Sequence, residues 1–242
     1  NFMCGICGQL RFDGKDVTSE SLDNMMLKLA KRGPDSSGQW TAERIGFGHQ
    51  RLSIIDLSSY GSQPMVDNKL ELTLVFNGTI YNYKSLRSQL LKKGYHFFSN
   101  SDTEVIIKAY HFWGENCLEH LDGMFAFAIW DHSTKKLFVA RDRMGIKPLY
   151  FNSTSKAFTF ASNSQALLTQ EIDRSINPVA LQQQLSLHGV VPAPNTIING
   201  IQKLKPGSYM ILNSGGQIEE KTYWIPTAKR PDREVTNEEY IE

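Results

Sequence analysis

Met3-Cys4-Gly5-Ile6-Cys7-Gly8-Gln9-Leu10 is the stretch on which the fold turns, and Cys4 is its decisive residue. A cysteine that becomes the first residue of a chain carries a nucleophile and a base together. Its thiolate attacks, and its free α-amine takes and returns the proton. An α-amino group titrates near ~8, close to working pH, whereas a lysine amine does not. Here Asn1, Phe2 and Met3 precede Cys4 and block that amine. Residues 1–3 read as a tag remnant, Asn1-Phe2, followed by the initiator Met3. Loss of Met3 is expected, because a small residue follows it. The plain alternative is a buried strand cysteine, since residues 4–12 read as a strand with Leu10 and Phe12 on one face. A position directly after a removable methionine favours the nucleophile.

Cys4-Gly5-Ile6-Cys7 is also a C-x-x-C, the pattern of redox pairs and metal sites. On a strand, however, positions three apart face opposite sides and lie ~10 Å apart, beyond disulfide reach. No second C-x-x-C or neighbouring His pair completes a zinc site. Cys7 is therefore expected in the core and no metal is expected. The six histidines are scattered without ligand spacing and are assigned no site.

The 242 residues, 40% of them apolar, suffice for a substantial core. The 26 basic and 25 acidic residues leave a formal charge of +1, and no basic run or aromatic–basic stripe marks a nucleic-acid surface. No apolar run approaches the ~20 residues of a membrane helix, and no secretory signal is seen. The cysteines Cys4, Cys7 and Cys117 are too few, and odd in number, for a disulfide framework, which points to a reducing cytoplasm.

Apolar periodicity predicts helices over 20–31, 83–92 and 103–113. Strands are expected at 45–49, 72–76, 124–130, 137–140, 149–152 and 157–161, with short turns such as Asp131-His132-Ser133 between them. Many antiparallel strands with helices in blocks suggest an α+β class of stacked layers rather than a doubly wound parallel sheet. After about residue 172 the texture changes. Residues 177–188 read as a helix with Pro178 in its first turn, and 190–195 as a loop. Residues 208–212 and 222–224 read as a hairpin around Asn213-Ser214-Gly215-Gly216. Thr236-Asn237-Glu238-Glu239 reads as a capping box.

Motifs run along almost the whole chain. After Cys4-Gly5-Ile6 come Arg32-Gly33-Pro34-Asp35, Gly48-His49-Gln50-Arg51-Leu52-Ser53-Ile54-Ile55-Asp56 and Gln63-Pro64. Asn77-Gly78-Thr79-Ile80-Tyr81-Asn82, Ser101-Asp102-Thr103-Glu104 and Gly123-Met124-Phe125-Ala126-Phe127 follow. Arg141-Asp142-Arg143-Met144-Gly145-Ile146-Lys147-Pro148 and Leu204-Lys205-Pro206-Gly207 close the set. In this order the set resembles the glutaminase domain of class II glutamine amidotransferases of the asparagine synthetase type. The resemblance implies an N-terminal-nucleophile hydrolase fold, a four-layer αββα sandwich, over residues 4–225. Residues 226–242 would be a linker and the start of a truncated C-terminal synthetase domain.

The resemblance also assigns roles. Cys4 is the implied nucleophile, and the Asn77 side-chain amide and Gly78 backbone N–H are the implied oxyanion donors, each worth ~3 kcal/mol in a transition state. Arg51 would grip the glutamine α-carboxylate through a bidentate fork, and Asp102 the α-ammonium. The backbone of Arg51, Leu52, Ser53, Ile54 and Ile55 would complete the pocket. Composition alone gives blander readings: a hairpin turn at Asn77-Gly78, a surface arginine at Arg51, a helix N-cap at Asp102 and a turn at 32–35. In the family, that last segment folds over bound glutamine. Two positions depart from the pattern. Thr79 stands in the substrate-binding set where the family usually has an acid that helps hold the ammonium, and Asn163 follows Ser162 where Ser-Glu is common.

The implied reaction is hydrolysis of L-glutamine to glutamate and ammonia through a Cys4 thioester, with no cofactor in this domain. The ammonia would feed an asparagine synthetase-like ligase region needing ATP and Mg, absent from this chain. Its acceptor, whether aspartate, a sugar carboxylate or another acid, is left open, as is a homodimer. Partners such as nucleic acid or membrane are not expected. Two other readings stay open: a weakened glutaminase-fold binding or scaffold module, and an N-terminal-nucleophile amidase for another substrate. Retention of Cys4, Arg51, Asn77, Gly78 and Asp102 together argues against the first. The Arg51 and Asp102 pair argues against the second.

Overall fold

Strand β1 (Gly5–Arg11) is buried along almost its whole length, because it lies inside a sheet covered on both faces. The computed structural model describes residues 3–53, 55–56 and 58–227. After β1 come α1 (Ser19–Leu27), β2 (Ser36–Ala42), β3 (Ile45–Arg51), β4 (Met65–Asp67) and β5 (Leu72–Ile80). Helices α2 (Tyr83–Lys92), α3 (Asp102–Trp113) and α4 (Cys117–His120) follow, then β6 (Gly123–Asp131), β7 (Lys136–Arg141), β8 (Tyr150–Ser153) and β9 (Ala157–Ala161). The chain continues through α5 (Ser164–Leu167), α6 (Pro178–Ser186), β10 (Gln202–Lys203), β11 (Ser208–Asn213) and β12 (Ile218–Thr222).

The strands form two six-stranded antiparallel sheets, ordered β10-β8-β9-β1-β3-β2 and β12-β11-β7-β6-β5-β4. Strand alternation sends Ile6, Leu10 and Phe47 of the first sheet, and Val75 and Val139 of the second, into one core between the sheets. On the outer face of the second sheet, Leu74, Phe76 and Phe127 meet Leu86, Val105 and Ile106 of α2 and α3. On the outer face of the first, Cys7 packs with Leu22, Met25 and Met26 of α1 and Leu167 of α5. The layers are thus helix, sheet, sheet, helix, and the expected αββα sandwich is what the chain forms. Strands covered on both faces carry near-continuous apolar runs, which is why 124–130 and 157–161 are legible in the sequence.

Several boundaries differ from the periodicity. The helix expected over 20–31 ends at Leu27, and the chain tightens into bonds from Leu29 N to Met26 O and Arg32 N to Leu29 O. The tightening brings the Arg32 carbonyl to Met3 N at 2.8 Å. The return strand of the final hairpin is Ile218–Thr222, not 222–224. Asn213 Oδ1 accepts from Gly215 N and Gln217 N, and Gly216 takes φ 85°, so the chain reverses at once and Ile218 pairs with Leu212. Trp224 instead lies over Gly207, whose carbonyl accepts from Tyr223 N at 2.8 Å. The helix expected at 177–188 spans Pro178–Ser186, capped by Asn177 as the Pro178 signal implied. The edge strands β2, which is polar, and β4, which is three residues long, carried no sequence signal strong enough to be read. Thr236-Asn237-Glu238-Glu239 lies outside the described residues, as do Asn1, Phe2 and 228–242.

Asn163, one departure from the family pattern, caps α5: its Oδ1 accepts from Ala166 N at 2.8 Å and its Nδ2 donates to Lys28 O at 3.0 Å. A glutamate there could accept the helix bond but not donate the second.

Helix α3 is buried from Asp102 through Ala109 and holds an internal ion cluster. Lys108, 2% exposed, contacts Glu104 one turn back and Asp67 Oδ2 at 3.2 Å. Glu104 also accepts from Phe98 N, Ser99 N and Ser99 Oγ, which ties the segment before the helix to it. Removing one partner of a buried cluster leaves an uncompensated charge, at a cost of about 3–5 kcal/mol. Lys108→Met is expected to lower unfolding free energy by that order in denaturant titration. Disrupting the exposed Arg143–Asp122 pair is expected to cost under about 1 kcal/mol. Equal losses for the two would contradict the cluster's role.

Candidate active site

Cys4 sits just ahead of β1, and the antiparallel register of β1 with β3 sets Gly5 opposite Gln50. That register carries Cys4 to the end of β3, opposite Arg51 and beside Leu52. Cys4 Sγ accepts from Leu52 N at 3.3 Å, and the thiol points to Leu52 O at 3.5 Å. Burial raises the Cys4 thiol above its ordinary range, opposed by the Leu52 amide and by the positive charges of Arg51 and Lys147. Arg32 Nε donates to the Cys4 carbonyl at 3.1 Å, and the Arg32 carbonyl accepts from Met3 N. Gly33 is needed in this loop: a Cβ there would lie 2.3 Å from Gln50 O.

Cys4 opens into a cavity of about 260 Å³ whose walls include Arg51, Leu52, Ile55, Asn77, Gly78, Thr79 and Asp102. Eight of the ten residues proposed from the sequence, counting Cys4 with these seven, are therefore brought together. Ser53 is not on the wall; its N–H donates to Asp35 Oδ2 at 2.7 Å, clasping the 32–35 loop to the strand end. Ile54 lies outside the described residues.

Two local readings change. Asn77-Gly78 is not a hairpin turn. It lies within β5, paired to Ala126 and Phe125 of β6. Glycine is required there because a Cβ would sit 2.2 Å from Met124 O. Asp102 is not the N-cap of α3 either. Ser101 fills that position, its Oγ accepting from Glu104 N at 3.3 Å. Asp102 is the first helical residue, and its Oδ2 accepts from Ile80 N at 3.0 Å. Burial raises its carboxyl pKa, with the Ile80 bond opposing. Arg51 is 8% exposed rather than a surface residue. Its Nη1 donates to Ser58 O at 3.2 Å and its Nη2 to Asp56 O, so two of its five N–H groups hold the loop after β3.

Sequence reasoning passed over several residues of the cavity, among them Gln63, Lys147 and His49. Gln63 accepts from Phe76 N at 2.6 Å and donates to Thr103 Oγ1 at 3.3 Å, tying the loop to β5 and α3. Lys147, 6% exposed, reaches the wall from the 141–148 motif. His49, 1% exposed, lies two residues before Arg51 on the same strand face, and that alternation was the available signal. Among the described residues neither ring nitrogen of His49 has a hydrogen-bond partner, nor does Asn77 Nδ2. These buried polar atoms on facing strands line one cavity, which marks it as built for a polar ligand.

Burial and the nearby Arg51 charge depress the His49 imidazole from 6.5 to about 3. The folded protein therefore binds a proton there less readily than the unfolded chain, and stability falls as pH drops below about 6.5. An NMR titration of the His49 ring should show no protonation between about pH 8 and pH 5. A midpoint near its ordinary value would mean that the ring is solvated.

Residues 3–224 match the family described as a glutamine amidotransferase domain. Asparagine synthetase [glutamine-hydrolyzing] 1 of Bacillus subtilis (strain 168) is 40% identical, covering 92% of this chain and 35% of that protein. Asparagine synthetase [glutamine-hydrolyzing] 3 of the same organism is 36% identical, covering 95% and 38%. The amidase chry2 of Gibberella zeae is 35% identical, covering 89% and 31%. The chain thus spans about a third of the length of these relatives. In fold it is similar to the glutamine phosphoribosylpyrophosphate amidotransferase of B. subtilis, with a TM-score of 0.67 at 20% identity over 92% of this chain and 50% of that one. The likeness of fold agrees with the four-layer sandwich. With the family match running from Met3 to Trp224, this chain belongs to the glutamine amidotransferase domain family, an enzyme family.

Proposed function

We propose that this domain, once it begins at Cys4, hydrolyses the side-chain amide of L-glutamine. The ammonia would pass to an ATP- and Mg-dependent synthetase region of a longer chain, in the manner named for the asparagine synthetase relatives. The observation that carries the reading is the single cavity shared by Cys4, Asn77, Gly78, Arg51 and Asp102. No cofactor is required in this domain, because every group the hydrolysis needs is a side chain, a backbone N–H or the terminal amine. The relatives carry different names at similar identity, so the acid that receives the ammonia is not set by family membership.

In this mechanism the Cys4 thiol gives its proton to the α-amine and the sulfur attacks the glutamine δ-carbon. The carbonyl electron pair moves onto oxygen. Asn77 Nδ2, a buried donor with no partner among the described residues, and Gly78 N–H receive that oxyanion. The α-amine returns the proton to the leaving nitrogen, ammonia departs, and a thioester remains. Water, deprotonated by the same amine, releases glutamate. The N–H groups of Arg51 not used by the loop carbonyls hold the substrate carboxylate. The Asp102 oxygen not bound to Ile80 N holds the ammonium. Arg51 for the carboxylate and Asp102 for the ammonium, of opposite charge, select an α-amino acid over a simple amide. That favours glutamine over the substrates of an unrelated amidase, and the retained nucleophile and donors disfavour a purely binding module.

Protein that keeps Asn1-Phe2-Met3 is expected to show little glutaminase activity, and protein starting at Cys4 to be active, since only the latter has the base. Equal rates from the two forms, with Edman or mass analysis confirming their N-termini, would overturn the assignment of the base.

The donors and the carboxylate grip should separate kinetically in the trimmed protein. Asn77→Ala is expected to lower kcat by about 100- to 1,000-fold with little change in KM, because the oxyanion exists only past the ground state. Arg51→Ala should raise KM by about 10- to 100-fold, since it removes charge-assisted bonds and also frees the 56–58 carbonyls. The reverse pattern in steady-state kinetics would contradict both roles.

A further inference from the structure

The proposed mechanism leaves unused one buried cation in the Cys4 cavity, and an elaborate turn holds it there. Asp142 is buried, and its two oxygens accept from four backbone amides, those of Phe125, Met144, Ile146 and Lys147. Arg141 braces the same turn through Lys147 O at 2.9 Å and Gly145 O at 2.6 Å, and it reaches Leu204 O of the 204–207 motif. The product of this bracing is the position of Lys147. Its ammonium has three donors. Among the described residues its one side-chain partner is the Met3 thioether, a weak acceptor, at 3.2 Å. Met3 is the residue whose carbonyl carbon bonds the Cys4 nitrogen.

We infer that Lys147 is a positioning residue for the base: when Met3 is absent, its ammonium stands against the new Cys4 α-amine and keeps that amine unprotonated at neutral pH. The inference rests on the proposed N-terminal base. The physical reason is that a neighbouring cation disfavours protonation of an amine. The other groups facing this corner do not cancel the effect. Arg32, from the loop after α1, and Arg51, from β3, add positive charge. Asp102, from α3, is the opposing charge at Cys4, and one of its oxygens is held by Ile80 N. Asp142 is saturated by backbone amides and makes no ion pair with Lys147 among the described residues. His49 is neutral. Lys147 in turn is pulled below the ordinary lysine range by burial and by Arg32, with Cys4 and Asp142 opposing.

The test uses protein beginning at Cys4 and the pH profile of kcat/KM for glutamine. Lys147→Met, which keeps the length and removes the charge, should move the acid limb of the profile up by about one pH unit, so that activity near pH 6 falls roughly tenfold while the plateau is kept. Lys147→Arg should restore the wild-type limb. Lys147→Gln replaces the Met variant if that one does not fold. An acid limb unmoved in the uncharged variants, or moved as far in the Arg variant, would overturn the inference while the base assignment stands. Inactive trimmed wild-type protein would overturn the base assignment and this inference with it.

Discussion

The register between β1 and β3 is the constraint on which the rest of the site depends. Gly5 faces Gln50 and Ile6 faces His49, so the residue before β1 comes to the end of β3, opposite Arg51, and the Cys4 sulfur lands on the neighbouring Leu52 amide. A slip of one residue would turn Ile6 and Leu10 out of the inter-sheet core and send Cys7 in. Core packing therefore places Cys4, the proposed nucleophile. The same alternation puts His49 and Arg51 on the inner face of the first sheet, across from Asn77 of the second. The cavity lies where the apolar filling between the sheets gives way to these polar side chains.

Around that register, hydrogen bonds between side chains and backbone fix the loops. Arg32 clamps both sides of the Met3–Cys4 bond, Asp35 holds Ser53, and Arg51 and Gln63 hold the loop after β3 to β5 and α3. Asp56, at φ 53°, accepts from Asn100 N at 2.9 Å and so links that loop to the segment before α3. The wall that would receive substrate is thus tied to four separate elements. Such a wall holds its donors in place before a ligand arrives, which is the condition for stabilising a charge that forms only in the transition state.

The layered class and most central strands were legible because strands buried on both faces carry long apolar runs, as at 124–130 and 157–161. Helix 83–92 was legible from its own stripe. The polar edge strand Ser36–Ala42 was not, since much of it faces solvent and its sequence carries no apolar alternation. The site was legible through motifs, but local geometry was misread wherever a tertiary contact outweighed a short-range preference. Asn77-Gly78 favours a turn in isolation, yet the approach of Met124 O leaves room only for glycine inside β5. Ser101 displaced Asp102 as the cap because the Asp102 carboxylate is committed to Ile80 N across the cavity. Lys147 could not be found by periodicity, because only the folding of the Asp142 turn aims it inward.

Thr79 gains its meaning from this charge arrangement. It follows Gly78 on the wall shared with Asp102, where a family acid would have added a second negative charge. With threonine, the cavity holds Arg51 and Lys147 against Asp102, and Arg32 stands behind Cys4. A hydroxyl offers the substrate ammonium a bond worth about 1 kcal/mol, where a carboxylate offers about 1.5–3. The same substitution leaves the corner around Cys4 more positive, which favours the thiolate, the neutral α-amine and the oxyanion together. On the proposed mechanism, one less carboxylate would weaken the hold on the substrate's ammonium and strengthen the field at the reacting carbon, so a threonine at this position is compatible with a working glutaminase.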